Sequence, residues 1–248
     1  MSVAVEFTEG PPRKYTVNGE VCPSVTQILG VLNKAALPWW GMTVGVQGVC
    51  ELARAGEDLD WRDPEGIVGL LTATKRTVNH VRDSAATRGK SVHDALEEYA
   101  TTGATPKPSQ FPVEDRGFVQ ALAKALMELD PQCEQTEVMV GSVEHGFAGR
   151  YDLRCTINGQ PVRLDLKTGK RVYDEALLQL AAYELAAVEM GEEPAERLVV
   201  LRLDQGGDFE AVDSHATGDM FLGVKAAYDA LAELKAARPR KPRKKAAA

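Results

Sequence analysis

The sequence predicts a mixed α/β fold, α+β in the way its elements segregate, with a helical N-terminal region ahead of a compact mixed sheet. Three observations carry this. Apolar residues recur at helical spacing through most of the stretch up to about residue 130. From about residue 131 the pattern switches to short alternating runs. A helical stretch over about 174–190 then separates two strand patterns, as a crossover helix does. No linker divides the chain, so one domain is expected: a helical part over about 24–130, a sheet core over about 131–237 and a basic tail at 238–248.

Taken in order, YTVNGEV (15–21) places Asn18-Gly19 between short apolar runs, a hairpin signal. Ser24 and Gln27 have capping-box spacing for a helix whose apolar positions are Ile28, Leu29 and Leu32. Pro38 interrupts that pattern, and a second helix is expected over roughly 40–55, with Trp39-Trp40 packed in a core rather than stacked on bases. Asp63-Pro64 is a cap followed by proline at the first helical position. The stretch 65–101 reads as helix with a break near Arg88-Gly89, and 101–112 as a loop. A helix over about 113–129 follows, with Phe118, Leu122, Ala125, Leu126 and Leu129 on its apolar face. The runs EVMV, GFAGRYDLRCTI and QPVRLDLKT are consecutive strands. The helix at 174–190 turns Leu177, Leu180, Ala181, Leu185 and Val188 to the sheet. ERLVVLRLD and DFEAVD are two further strands, and a last helix covers about 218–236.

Composition narrows the function. The chain has 248 residues, 44% of them apolar, with 29 basic against 36 acidic side chains and a net charge of −7. That balance excludes a simple basic coat for nucleic acid but leaves room for a local phosphate-binding groove. Six of the basic residues, Arg238, Arg240, Lys241, Arg243, Lys244 and Lys245, lie in the tail, where they lower the cost of approaching DNA without reading its sequence. The four cysteines, Cys22, Cys50, Cys133 and Cys155, form no C-x-x-C pair, and Cys155 reads as a buried free thiol. With no leader pattern and no apolar run of about 18 residues, a cytoplasmic protein with no membrane contact is expected.

The chemistry concentrates in GRYDLRCTINGQPVRLDLKTGK, residues 149–170. Asn158-Gly159 favours a two-residue turn, so Ile157 opposes Gln160 and, counting outward, Asp152 opposes Asp165. In that register Tyr151, Leu153, Cys155 and Ile157 share a face with Val162, Leu164 and Leu166, while Arg150, Asp152 and Arg154 share the other with Arg163, Asp165 and Lys167. Directly opposed side chains have Cβ atoms about 4.5–5.5 Å apart. Two carboxylates so placed repel unless a positive charge sits between them, and a hard divalent cation such as Mg²⁺ suits an oxygen-rich site. Lys167 emerges on the same face, within reach of a scissile phosphate. This is the arrangement of metal-assisted phosphodiester hydrolysis. His93 and Glu97, four apart on a helix, share a face distinct from the Val92, Leu96 and Tyr99 stripe.

These stretches, RGKSVHDALEE, EVMVGSVEHGFAGRYD, RLDLKTGK and LQLAAY, resemble in order the motifs of the RecB-like, Cas4-like branch of the PD-(D/E)xK nucleases, especially phage-type exonucleases. PSVTQIL near residue 23 is similar to the opening of phage members. The resemblance implies a restriction-endonuclease-like central mixed sheet flanked by helices. It assigns His93, Glu137, Asp152, Asp165, Lys167, Gln179 and Tyr183 to the site, with Glu137 preferred to its neighbour Glu144. Asp152, Asp165 and the Leu166 carbonyl would hold Mg²⁺ or Mn²⁺, with His93 and Glu137 completing the inner or outer shell. Lys167 would act on the attacking water, and Gln179 and Tyr183 would hold a phosphate or brace Lys167. The cysteines lack the iron–sulfur pattern of typical Cas4 proteins, which favours a phage or phage-derived nuclease. The implied activity is metal-dependent DNA exonuclease action in recombination, repair or end processing, in a bacterial or phage-infected cell. A single-strand annealing or recombination protein is the implied partner. A structure-sensitive endonuclease and a non-catalytic DNA-binding scaffold are the alternatives.

Overall fold

The computed structural model describes residues 3–10, 14–32 and 36–238. The chain opens with a three-stranded antiparallel meander, β1 (Val5–Thr8), β2 (Lys14–Val17) and β3 (Glu20–Cys22). Asn18 and Gly19 both have positive φ, 51° and 82°, as the expected turn requires, and Val17 pairs with Glu20 across it. Helix α1 (Val25–Leu29) starts on the capping box read from the sequence: the Gln27 N–H donates to Ser24 Oγ, and the Ser24 N–H to Gln27 Oε1.

Helix α2 (Ala36–Arg54) begins ahead of Pro38, which sits in its first turn, where the missing N–H has no partner to lose. With α3 (Pro64–Ala73), capped by Asp63, it forms a small core of Leu52, Leu59 and Leu71. Trp39 and Trp40 do not join any core: they are 71% and 37% exposed, because α2 packs through Val44 and Leu52, on turns further along.

The expected break at Arg88-Gly89 is absent. Helix α4 runs unbroken over Val78–Thr102, and the interruption falls earlier, around Lys75 at φ 59°. A mid-helix glycine costs only about 1 kcal/mol. Here tertiary contacts hold the turn beside it: Arg88 pairs with Asp115 at 3.2 Å and lies over the Phe118 ring. A short 3₁₀ turn at Pro108–Gln110 leads to α5 (Arg116–Leu129).

The main sheet has the order β4-β5-β6-β7-β8, from β4 (Gln132–Ser142), β5 (Phe147–Ile157), β6 (Gln160–Thr168), β7 (Arg197–Leu203) and β8 (Phe209–Asp213). All neighbours are antiparallel except β6 and β7, which α6 (Asp174–Glu189) joins as the crossover helix. The β5–β6 turn is the one the sequence implied, with Ile157 opposite Gln160. Helices α4 and α5 cover one face through Val92, Leu96, Phe118, Leu122 and Leu126. Helices α1, α6 and α7 (Gly218–Ala236) cover the other. Leu180 and Ala181 of α6 are buried as expected, but Val188 is exposed, and Ala182, Tyr183, Ala186 and Ala187 are buried with them. A helix wedged between a sheet and two other helices needs small residues for close approach. The basic tail beyond Arg238 lies outside the described residues.

Candidate metal centre

Five elements converge around the middle of β4 and β5 and the C-terminal half of β6. His93 stands on α4 beside the buried Val92 and Leu96, half-buried at the helix flank. Its Nδ1 is 3.0 Å from Asp152 Oδ1. Glu137, His93 and Asp152 each offer a ligand atom, and these atoms lie within 4.8 Å of one another. Asp165 and Lys167 follow on β6, paired at 2.6 Å. Gln179 Nε2 donates to Tyr183 Oη at 2.6 Å on α6, and the Tyr183 ring lies so close to Gly149 that a Cβ there would collide with it.

The backbone explains why Asp152 points into this cluster. The alternation expected along β5 fails at Asp152. Leu153, Cys155 and Ile157 pack on the α4–α5 side, but Tyr151 packs with Val140, Ala182 and Tyr183 on the other. The change of side falls opposite Glu137, which sits between the pairs Thr136↔Leu153 and Val138↔Tyr151 and has φ 53°, a left-handed value inside a strand. On the other flank the β5–β6 ladder ends at Leu153↔Leu164. Beyond it the Asp152 carboxylate replaces the missing strand partner, its Oδ2 accepting the Leu166 N–H at 2.6 Å. Thr136 Oγ1 donates to the Asp152 carbonyl at 3.1 Å. Such irregularities re-aim side chains, and strain of this kind gathers at functional sites.

Burial works against ionised Asp152, but the hydrogen bond and charge of His93, with Lys167 and the Leu166 N–H, outweigh it and hold the carboxyl below its usual range. His93 feels the converse: burial lowers its pKa, and Asp152, joined by Asp165, raises it further than burial lowers it. Asp165 is pushed up to about 6 by burial and by the nearby Asp152 charge, against the pull of Lys167. Burial disfavours the Lys167 ammonium, yet Asp165 and Asp152 raise its pKa overall. Glu137 is raised, chiefly by burial, with Arg150 opposing. Burial keeps the Tyr183 phenol un-ionised. A crowd of buried carboxylates in which one resists ionisation is a place where added positive charge is favoured.

The donor set fits a divalent cation that accepts oxygen and imidazole ligands: two carboxylates, one histidine and a third carboxylate close enough to sense the first. Asp165 is outside the tight group of three, since its carboxylate is drawn to Lys167. Leu166 is beside Asp152 through its N–H. Glu97 is exposed on the same flank as His93 and raises the Glu137 pKa. Gln179 and Tyr183 stand on the α6 side, where the Asp165 charge reaches the phenol.

Two residues carry more than the sequence suggested. Arg150 pairs with Glu137 at 2.7 Å. Arg163, expected on a polar face with Asp165 and Lys167, is fully buried under α6. It pairs with Glu184 and with Glu192 at 2.9 Å and lies 4.8 Å from the Tyr151 ring centroid, and Arg154 shares Glu192 at 3.1 Å. The available signal was Glu184 and Glu192, acidic residues on and just after a helix otherwise rich in alanine. Cys155 is a buried free thiol, as read, with a pKa raised to about 12 by burial.

Among the described residues, no helix is long and apolar enough to cross a membrane. No family model and no curated protein matches the chain. Among solved structures, the crystal structure of SSO0001 aligns with 57% of this chain and 71% of its own, at 14% identity and a TM-score of 0.32, a likeness too slight to carry fold or function across.

Proposed function

We propose that the chain is a metal-dependent deoxyribonuclease acting as an exonuclease on DNA ends, with Mg²⁺ or Mn²⁺ held by His93, Glu137 and Asp152 beside Asp165. The observation that carries the reading is the gathering of three ligand atoms within 4.8 Å of one another, contributed by α4, β4 and β5, next to the buried Asp165 of β6 and its partner Lys167. A cation there would lower the pKa of an attacking water and stabilise charge on the phosphate. The protein's own groups do the rest. Asp152 is fixed by the Leu166 N–H and His93, so its ligand geometry is set before substrate arrives. Lys167, one-third exposed and anchored on Asp165, presents a positive charge where negative charge develops on the phosphate. The Gln179–Tyr183 pair closes the α6 side with a neutral donor and acceptor. The hydrolysis needs no covalent intermediate: water attacks phosphorus in line and the leaving oxygen departs on the sugar.

End-labelled linear DNA and closed-circular DNA, incubated with Mg²⁺, Mn²⁺ or EDTA, test this. Release of nucleotides from linear DNA alone, in either metal and not in EDTA, is expected. Cutting of the circle would assign an endonuclease, and binding without cleavage would assign a scaffold.

A further inference from the structure

Glu137 serves two arrangements at once. Its carboxylate belongs to the three-ligand group, and the same carboxylate holds the guanidinium of Arg150, Nε to Oε2 at 2.7 Å. The backbone of Arg150 is fixed in the ladder opposite Met139, but its side chain is 49% exposed against 21% for Glu137. The arm is therefore free to turn about its own bonds while its root stays beside the cluster. The other nearby cations have partners that a metal would not take first: Lys167 sits on Asp165, and Lys90 on Asp94 at 2.7 Å.

We propose that Arg150 is a phosphate-binding residue for the nucleic-acid strand, parked on Glu137 until a divalent cation claims that carboxylate. The inference rests on the metal-centre reading above. Its physical basis is an exchange of partners. A half-exposed ion pair holds weakly, so Glu137 is readily surrendered to a cation of higher charge. The displaced guanidinium then faces a site whose carboxylates are engaged. A phosphate offers it two oxygens in the planar geometry a guanidinium matches. Without the cation, Glu137, Asp152 and Asp165 repel a phosphate, and Arg150 is spent on one of them. With it, the same residues offer a positively charged cradle. Metal occupancy and strand binding are thus coupled through one side chain.

The test uses the full chain as wild type, Arg150→Ala, Arg150→Lys and Asp152→Asn, each first checked by thermal melting. Mn²⁺ binding is titrated without DNA. Affinity for a short labelled DNA is measured in Ca²⁺, using parent oligonucleotides and a series with one neutral methylphosphonate linkage each. Arg150→Ala should bind Mn²⁺ at least as tightly as wild type, because the competitor for Glu137 is gone. It should bind parent DNA roughly tenfold or more weakly, the scale of a lost charge-assisted hydrogen bond. One methylphosphonate position should cost the wild type the same factor and cost Arg150→Ala nothing further. Arg150→Lys should fall between, since an ammonium restores charge without the fork. Equal DNA affinity for wild type and Arg150→Ala overturns the role of Arg150 while leaving the metal centre standing. A penalty independent of methylphosphonate position does the same, because it reports general attraction. Mn²⁺ binding that is absent in wild type, or unchanged in Asp152→Asn, overturns the metal centre and this inference together.

Discussion

Lys167 and Arg163 alternate on one strand yet do opposite things. Lys167 reaches the cluster with its head one-third exposed, while Arg163 is wholly enclosed by Glu184, Glu192 and the Tyr151 ring. Lys167→Ala should retain metal and DNA binding in Ca²⁺ and slow single-turnover cleavage by roughly 10²–10³-fold, the cost of one preorganised transition-state donor. Cleavage at the wild-type rate once DNA is bound would remove Lys167 from the chemistry. Arg163→Ala removes the buried guanidinium that Glu184 and Glu192 share, leaving Glu192 to Arg154 and Glu184 without a cationic partner, and breaking a buried pair costs about 3–5 kcal/mol. Urea unfolding should record a loss of that order, with metal affinity in the surviving folded fraction little changed. A loss below about 1 kcal/mol would mean the pocket admits water readily.

At the scale of the element, β4 and β5 change sides together at Glu137 and Asp152, and the cost is borne by one residue. A non-glycine side chain in the left-handed region is disfavoured by roughly 1–2 kcal/mol, and glycine escapes that penalty. Glu137→Gly should therefore be more stable than Glu137→Ala by about 1 kcal/mol in denaturant melts, while both lose metal binding. Both variants remove the Arg150 pair, so the comparison isolates the backbone. Equal stability of the two would show that β4 relaxes to ordinary strand geometry once the carboxylate is gone. The same kink explains how a strand read as simple alternation places Asp152 between β5 and β6, accepting the Leu166 N–H.

Across the whole molecule, the centre ties α4 to the sheet through His93 and Asp152, so its protonation bears on global stability. Asp165 has its pKa raised from 3.8 to about 6, so its contribution is fully present below about pH 4 and is lost as pH rises through about 6. His93 is raised too, so its contribution is likewise lost as pH climbs past its folded pKa. Asp152, with its pKa lowered, works in the other sense and loses its contribution only as pH falls through its folded value. A divalent cation bound as proposed would require a neutral His93 and would be favoured by an ionised Asp165 beside it, so it would add stability where the free protein has lost it. The rise in melting temperature on adding Mn²⁺ should be larger at about pH 7.5 than at about pH 5 and should vanish in Asp152→Asn. An increment equal at both pH values would disconnect the cation from these groups.

Motif resemblance proposed His93 and Glu137 as companions of Asp152, Asp165 and Lys167; the sequence by itself determined the order of the sheet-core elements, the two Asn-Gly turns and the capping box at Ser24. These are local or short-range signals: a turn needs positive φ at two adjacent residues, a cap needs one side chain three residues from an N–H, and a hairpin register follows from its turn. What lay beyond it was decided by packing. Helix α4 ignores the glycine at 89 because Arg88 docks on α5. Trp39 and Trp40 stay outside because α2 packs through Val44 and Leu52 instead. Arg163 is buried because α6 crosses over it, and Tyr151 changes sides because β4 kinks at a residue with no local preference for doing so. Alternation along a strand is a statement about one chain in isolation. Where β4, β5 and β6 part company around Asp152, the hydrogen bonds of the neighbouring strands choose the face, and only the assembled sheet contains them.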